Sequence, residues 1–180
     1  MRCAFAAGGP GTGAFGSRMA GTEWEKTMKI LEIGERPPAL IQQLVELWES
    51  SVRATHHFLT DGEIEAIKTY VPQALEQVPK LVVAEGENGS PAAFMGIDGR
   101  TLEMLFVAEE ERGKGLGKKL IEYGISACSV RKLAVNEQNP LAKGFYEHMG
   151  FRAYKRTERD GQGNPYPLLY MKLDGRAAKI

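Results

Sequence analysis

The hydrophobic pattern of the first half of the chain predicts one short strand followed by helices. Residues 29–32 open the apolar pattern and predict an edge strand. Residues 40–48 carry apolar side chains at helical spacing, so we expect one face of this helix to pack on a sheet. Thr60 followed by Glu63 is a capping-box pattern, which predicts the start of a second helix that Pro72 breaks or restarts.

The second half of the chain alternates between strands and helices. Turn-forming pairs such as Asn88-Gly89 separate three apolar runs, which predict an antiparallel meander. The predicted strands span residues 80–85, 92–97, 101–107, 132–135, 152–159 and 165–173, and the predicted helices span residues 116–129 and 139–149. Because a helix connects strand 101–107 to strand 132–135, these two strands must be parallel. The predicted fold class is α+β, with a single mixed, mostly antiparallel sheet flanked by helices.

Composition limits the classes of function. At 180 residues the chain fits one domain with a proper core. Its 23 basic and 23 acidic residues balance, so we expect neither nucleic acid nor a membrane as a partner. Cys3 and Cys128 are too few for a disulfide framework, which indicates a reducing cytoplasm. No apolar run approaches the roughly 20 residues needed to span a bilayer.

Residues 1–27 differ from the rest of the chain. They are rich in glycine and alanine, and residues 8–13 imitate a nucleotide-binding loop without the lysine and hydroxyl residue that should follow. We expect residues 1–27 to be a flexible leader or a cloning remnant. Residues 28–174 are expected to form the functional domain, and residues 175–180 a C-terminal tail.

An anion-binding site is predicted where strand 101–107 leads into the next helix. The first amides of a helix lack intrahelical partners and lie at the positive end of its dipole. Alternating glycines let a phosphate approach that backbone, and basic side chains add positive charge. The residues that form this predicted site are Arg112, Gly113, Lys114, Gly115, Leu116, Gly117, Lys118 and Lys119.

Two better-known phosphate loops do not match this segment. A P-loop requires a hydroxyl residue to hold magnesium, and Lys119 stands in that place. A dinucleotide fingerprint requires a different glycine spacing and an acidic residue after the second strand, whereas strand 132–135 leads into Asn136. Both classes are therefore excluded.

Two motifs together resemble the GNAT N-acetyltransferase superfamily. The first is the loop Arg112-Gly113-Lys114-Gly115-Leu116-Gly117, which is similar to the pyrophosphate loop of that family. The second is residues 136–151, similar to the family's helix that begins at an asparagine and ends in Gly-Phe. The likeness covers residues 92–173 well. Residues 54–59, 136–139 and 165–169 further resemble the small bacterial YjaB-type subgroup.

The resemblance implies acetyl-coenzyme A as cosubstrate and no metal. Parallel strands flanked by helices can splay apart, and the resemblance implies that the pantetheine arm enters between the strands ending at Val107 and Val135. The backbone of Phe106 and Val107 would bind the arm. Asn139 would reach the arm from the other side, and Lys143 would meet its phosphorylated end.

The same resemblance implies catalytic roles. Tyr146 aligns with the family's general acid, which protonates the departing thiolate; without the motif it would be read as a packed aromatic residue. Glu103 is the first candidate for the base and His57 the second, although Glu103 alternatively is a solvated strand residue and His57 a structural histidine. Asn136 either contacts the cosubstrate or orients an acceptor or a water molecule.

The predicted function is acetyl transfer from acetyl-coenzyme A to a primary amine of a small molecule or a protein, by direct attack in a ternary complex. The alternative is an inactive acyl-coenzyme A-binding domain. The following residues indicate either an aromatic rim for the acceptor or an ordinary core edge: Trp48, His56, His57, Phe58 and Tyr70. The exposed half of strand 165–169 offers a dimer contact, so we expect a monomer or a homodimer.

Overall fold

A computed structural model describes residues 28–175 and the backbone of the two-residue segment Phe5–Ala6. The rest of the predicted leader, and residues 176–180 of the predicted tail, lie outside the described residues. The strands are β1 (Phe5–Ala6), β2 (Lys29–Ile33), β3 (Lys80–Glu85), β4 (Pro91–Asp98), β5 (Thr101–Val107), β6 (Lys132–Asn136), β7 (Phe151–Thr157) and β8 (Leu168–Leu173). The helices are α1 (Pro38–Arg53), α2 (Asp61–Lys68), α3 (Val71–Gln77), α4 (Leu116–Ser126) and α5 (Pro140–His148).

All described strands belong to one mixed sheet. Seven of them follow the order β2-β3-β4-β5-β6-β8-β7, and β1 pairs with β5 beside this path. Along this order only β5 and β6 are parallel, and every other neighbouring pair is antiparallel. This confirms the predicted fold class, including the meander β3-β4-β5, the edge strand β2 and the parallel pair.

The last two strands differ from the predicted boundaries. Strand β7 ends at Thr157 rather than at residue 159. The final strand begins at Leu168 rather than at residue 165, since Pro165 and Pro167 cannot donate ladder hydrogen bonds. It lies between β6 and β7, so Leu168 and Leu169 are buried. Within residues 165–169 only Pro165 is exposed, and Tyr166 and Pro167 are half-buried, so the exposed part lies before the strand. Strand β7 lies at this end of the sheet.

Helices cover both faces of the sheet. Because side chains alternate along a strand, Leu81 and Val83 of β3 join a core cluster with α1, α2 and α3. Val82 and Ala84 point the other way and join a second cluster with α4 and α5. Trp48 of α1 is buried in the first cluster, which favours a core role over the predicted acceptor rim.

The helix boundaries follow from local chemistry. The capping box predicted at α2 is present, with the Thr60 hydroxyl accepting from the Glu63 amide at 3.3 Å and the Glu63 carboxylate accepting from the Thr60 amide at 2.8 Å. Pro72 restarts the chain as α3. Helix α4 ends at Ser126, earlier than the predicted residue 129.

Within residues 28–175, no helix combines the length and the apolarity needed to cross a membrane.

Candidate active site

The parallel strands β5 and β6 separate after a short paired stretch. They pair at Thr101 with Lys132 and at Leu102 with Leu133, the first positions of each strand. Further along, the edge of β5 is met in parallel by β1, at Met104 and Leu105. This edge therefore accepts an extended backbone, as the predicted pantetheine arm requires, and an arm bound there would displace β1.

The glycine-rich connection between β5 and α4 has the geometry of an anion cradle. After a 3-10 turn at Glu109–Glu111, Gly113 has a φ of 73° and Gly115, the N-cap of α4, a φ of 87°. A Cβ atom built on Gly115 would meet nothing within 4 Å, so the space before the helix is open. The first amides of α4 lie at the positive end of its dipole and can bind a phosphate.

The lysine side chains around this cradle form weak ion pairs with glutamates. The Nζ atom of Lys114 lies 3.2 Å from Glu111, that of Lys118 lies 3.7 Å from Glu122, and both lysine side chains are more than half exposed. Lys143 of α5 lies 3.8 Å from Glu147. Exposed pairs of this kind contribute little, so these cations can turn towards a bound anion at small cost.

Arg112 is placed differently from the lysines. Its guanidinium donates to the carbonyl oxygen of Ser51 in α1 at 2.9 Å, and burial lowers the pKa of Arg112 from its usual value. This contact ties the start of the cradle to α1. The structure thus gives Arg112 a role in holding the loop, while its predicted contact with the cosubstrate stays a prediction.

The remaining cradle residues pack closely. Phe106, Val107 and Leu116 are buried. A Cβ on Gly117 would lie 3.6 Å from Val107 Cγ2 and 3.7 Å from Phe145 Cζ, which is ordinary van der Waals contact. Helix α4 therefore lies directly against the end of β5.

Asn136 and Asn139 shape the turn between β6 and α5. The Asn139 side-chain oxygen accepts from the Ala142 amide at 3.0 Å and caps α5, and the Asn136 side-chain oxygen accepts from the Gln138 amide at 2.8 Å. Both residues are buried. Their oxygens thus have local roles, and their predicted contacts with the cosubstrate arm stay predictions.

Tyr146 of α5 carries a buried phenol. The residue is 1% exposed, and its hydroxyl has no hydrogen-bond partner among the described residues. Its ring contacts Phe145 and Phe151, with centroids 5.1 and 6.0 Å away. Burial raises the pKa of Tyr146 far above its usual value, so the phenol keeps its proton. A buried, unpaired donor is uncommon and indicates a function for that proton.

Glu103 lies at an irregularity of the sheet. Gly96 pairs with Met104 and Ile97 pairs with Leu102, so Glu103 is the extra residue of a β-bulge. Gly96 is required there, because a Cβ would lie 2.6 Å from Met104 Cγ. The half-buried Glu103 lines a cavity of about 550 Å³ on the sheet. The bulge thus places an acidic residue in the wall of the cavity.

The two neighbouring histidines occupy different environments. His57 is exposed in the connection between α1 and α2, whereas His56 is buried. Burial lowers the pKa of His56 to about 4, so its imidazole is neutral near pH 7. The Thr55 hydroxyl lies 2.8 Å from His56 Nδ1. His57 is thus the accessible histidine of the pair, as its candidacy for the base requires.

Comparison with known proteins identifies the family. The model of the acetyltransferase (GNAT) domain matches residues 49–174. The chain belongs to the GNAT acetyltransferase family. Peptidyl-lysine N-acetyltransferase YjaB of Escherichia coli K12 is 38% identical over 134 residues, which cover 74% of this chain and 90% of the relative.

Solved structures agree with this assignment. The solution structure of apo-form YjaB from Escherichia coli has a TM-score of 0.72 and 35% identity, and the match covers 82% of this chain and 98% of that one. The PaiA N-acetyltransferase of Thermoplasma acidophilum in complex with coenzyme A has a TM-score of 0.59 at 17% identity, covering 81% of this chain and 99% of that one. The latter shows the shared fold.

This GNAT chain is an N-acetyltransferase that transfers an acetyl group to an amine, as its curated relatives do. No observation favours the alternative of an inactive binding domain. The GNAT fold uses acetyl-coenzyme A, and the cradle fits that cosubstrate. The fit rests on the open space before α4, the exposed lysines and the separated strands.

The surroundings of Glu63 and of the cavity at Glu103 contain residues that sequence reasoning missed. Tyr166, from the connection between β7 and β8, donates to Glu63 at the start of α2, and its ring lies 5.8 Å from that of Phe58. Burial and this hydrogen bond raise the pKa of Tyr166 to about 12. The cavity residues also missed are Lys132, Tyr154, Lys155 and Tyr170. Only the pattern Pro165-Tyr166-Pro167 gave a local signal, since the others resemble ordinary strand residues.

Proposed function

We propose that the acceptor is the side-chain amine of a protein lysine, and that the amine attacks directly while both substrates are bound. The name of the curated relatives, peptidyl-lysine N-acetyltransferase, supports this class of acceptor. The cavity at Glu103 supports it too, since exposed Lys132, Tyr154 and Lys155 form part of its wall and leave its mouth at the protein surface.

The cosubstrate would bind along β5 and the start of α4. The amides around Gly113 and Gly115 would bind the phosphates, with Lys114, Lys118 and Lys143 as mobile counter-charges. The main chain of Phe106 and Val107 would bind the extended arm. Bound acetyl-coenzyme A supplies an activated thioester.

The buried hydroxyl of Tyr146 is the observation that carries the mechanism. Its raised pKa keeps the phenol protonated throughout the physiological range, and it has no competing partner among the described residues. Tyr146 would donate this proton to the departing thiolate sulfur. Tyr146 belongs to the same buried cluster as Val107 of β5 and Val135 of β6, which supports this role.

The acceptor must lose a proton before it can attack. Glu103, at the bulge of β5, would receive that proton from the lysine ammonium directly or through a water molecule. His57 is the second candidate, because it is exposed beside the acceptor side. Asn136 would orient the acceptor or a water molecule.

Location and assembly belong to the same proposal. We place the reaction in the cytoplasm, which the half-buried free thiol of Cys128 supports, and we expect a monomer or a homodimer. Residues 28–174 would form the catalytic domain, which contains the cradle, Glu103 and Tyr146.

The decisive experiment compares Tyr146→Phe with Tyr123→Phe, a half-buried tyrosine against the same core cluster. Acetylation of a lysine peptide is followed by mass and by release of free thiol. Loss of the general acid should lower kcat by about a hundredfold, with little change in affinity for acetyl-coenzyme A. Tyr146→Phe should also be about 1 kcal/mol more stable, since an unpaired buried hydroxyl is removed. Unchanged turnover in Tyr146→Phe would assign the residue to packing.

A further inference from the structure

Four cations lie together on one face of the C-terminal half of the sheet. Lys132 of β6 is directly opposite Lys172 of β8, and Lys172 is directly opposite Arg152 of β7. Residues directly opposite each other across strands share a face, so these three form a row. Lys155 lies opposite Tyr170 in the neighbouring position of the same two strands. We call these four residues the basic patch.

The basic patch is exposed to solvent. All four side chains are exposed, and none forms an ion pair with a carboxylate within residues 28–175. Lys155 Nζ lies 5.1 Å from the ring centroid of Tyr170, and Lys172 Nζ lies 5.9 Å from that of Tyr154. These rings favour the cations without cancelling their charge.

Arg156 provides an internal contrast on the same strand. Its guanidinium pairs with Glu137 at 2.7 Å and also with Glu158. Like charges directly opposite each other destabilise a sheet, and the chain retains three in one row. A row that costs stability and has no paired carboxylate among residues 28–175 fits an external anionic partner.

The basic patch is continuous with the acceptor cavity. Lys132 and Lys155 line the same cavity as Glu103. The cavity reaches the first residues of β5, whereas the cradle follows the last residue of that strand, so the patch is separate from the phosphate site. Strand β7 ends the sheet order, and its exposed edge can receive an extended segment.

We propose that the basic patch binds an acidic segment of the acceptor protein, next to the lysine that enters the cavity. This inference rests on the proposed protein-lysine acetylation and specifies its substrate class. The charges are complementary in two places: the lysine ammonium meets Glu103, and neighbouring Asp or Glu residues meet the basic patch. The enzyme thereby selects lysines in acidic surroundings.

The test uses three peptides with blocked termini, each containing one lysine. The lysine is flanked by Asp and Glu in the acidic peptide, by Ser and Gly in the neutral peptide, and by Arg in the basic peptide. The double variant Arg152→Gln, Lys172→Gln is compared with Arg156→Gln. We expect the wild type to prefer the acidic peptide through a lower KM. The double variant should lose roughly two- to fivefold in kcat/KM per removed charge on the acidic peptide, and little on the neutral one. Arg156→Gln should act like the wild type.

Two further measurements separate recognition from structure. The preference for the acidic peptide should shrink between low and high salt, because exposed charges are screened. The double variant should melt at the same temperature as the wild type or higher, since like-charge repulsion is relieved. A variant that unfolded instead would show that the row is structural and would overturn the inference.

Different outcomes would overturn the acidic-segment inference and the proposed lysine acetylation. Equal kcat/KM on all three peptides would overturn the acidic-segment inference and leave lysine acetylation intact. Acetylation of none of the peptides would overturn the proposed function itself. Inhibition by a single-stranded oligonucleotide, without preference among the peptides, would assign the basic patch to nucleic acid and also overturn the inference.

Discussion

The proposed cradle for the cosubstrate and the proposed cavity for the acceptor are built in opposite ways. The cradle lies on one continuous segment, from the end of β5 through Gly113 and Gly115 into α4. The cavity takes residues from the first half of β5, from β6, from β7 and β8 and from their connection. The cradle is a local sequence motif, whereas the cavity forms only after the sheet has assembled. The sequence therefore predicts the cosubstrate site, whereas it does not predict the residues that line the acceptor cavity.

The largest expected effect comes from substituting the two candidate bases, Glu103 and His57. Glu103→Gln should lower kcat/KM for a lysine peptide by about a hundredfold, because the proton acceptor is lost. His57→Gln should change it by less than about threefold, since an exposed imidazole contributes little to positioning. Both are measured by free-thiol release at several pH values, with affinity for coenzyme A as the control. The reverse ranking would move the base to the connection between α1 and α2.

A second test concerns the buried imidazole of His56, between α1 and α2, and the dependence of protein stability on pH. Burial lowers the pKa of His56 to about 4, below its unfolded value, so folding favours the neutral imidazole. The stability from this residue is present above about pH 6.5 and is lost as the pH falls towards 4. The expected loss is about 2 kcal/mol between pH 7 and pH 5.

Urea unfolding at pH 7 and at pH 5 measures this loss. His56→Leu should reduce the difference between the two pH values, whereas His57→Leu should keep it. Glu63 titrates separately, because hydrogen bonds from Tyr166 and Thr60 lower its pKa to about 2, so its contribution is lost only at more acidic pH. An identical pH difference in wild type and His56→Leu would show that His56 is hydrated in solution.

The same contrast explains what could be predicted. Strand periods, turn pairs and the capping box at Thr60 depend on neighbours in sequence, and they predicted the strands and helices with boundary differences of two or three residues. The position of β8 between β6 and β7 depends on long-range pairing, so the sequence pattern did not indicate that Leu168 and Leu169 are buried.

Side-chain partners were harder still to predict. Nothing near Arg112 in sequence indicates that it binds the Ser51 carbonyl, which lies 61 positions earlier. The bulge at Glu103 and the link from Tyr166 to Glu63 likewise need the folded sheet. The residue types in a motif therefore predict what a site binds. The tertiary structure decides which residues of the motif hold the site in its conformation.

The smallest expected effect tests the cradle by itself. Gly115→Ala and Gly89→Ala both place a methyl group at a positive φ, 87° and 75°, with nothing within 4 Å of the new Cβ. Both variants should lose about 1 kcal/mol of stability from the backbone strain. Only Gly115→Ala should weaken binding of coenzyme A, by about tenfold, because its methyl group enters the space where phosphate would meet the helix amides.

Calorimetric titration with coenzyme A and thermal melting of both variants measure the two effects separately. Arg112→Ala is a poorer probe of the cradle, since it also removes the contact with α1. Equal losses of affinity in the two glycine variants would mean that strain alone weakens binding, and that the open space before α4 is not where the phosphates bind. A loss confined to Gly115→Ala would show that the cradle acts as a local motif, independent of the assembled acceptor cavity.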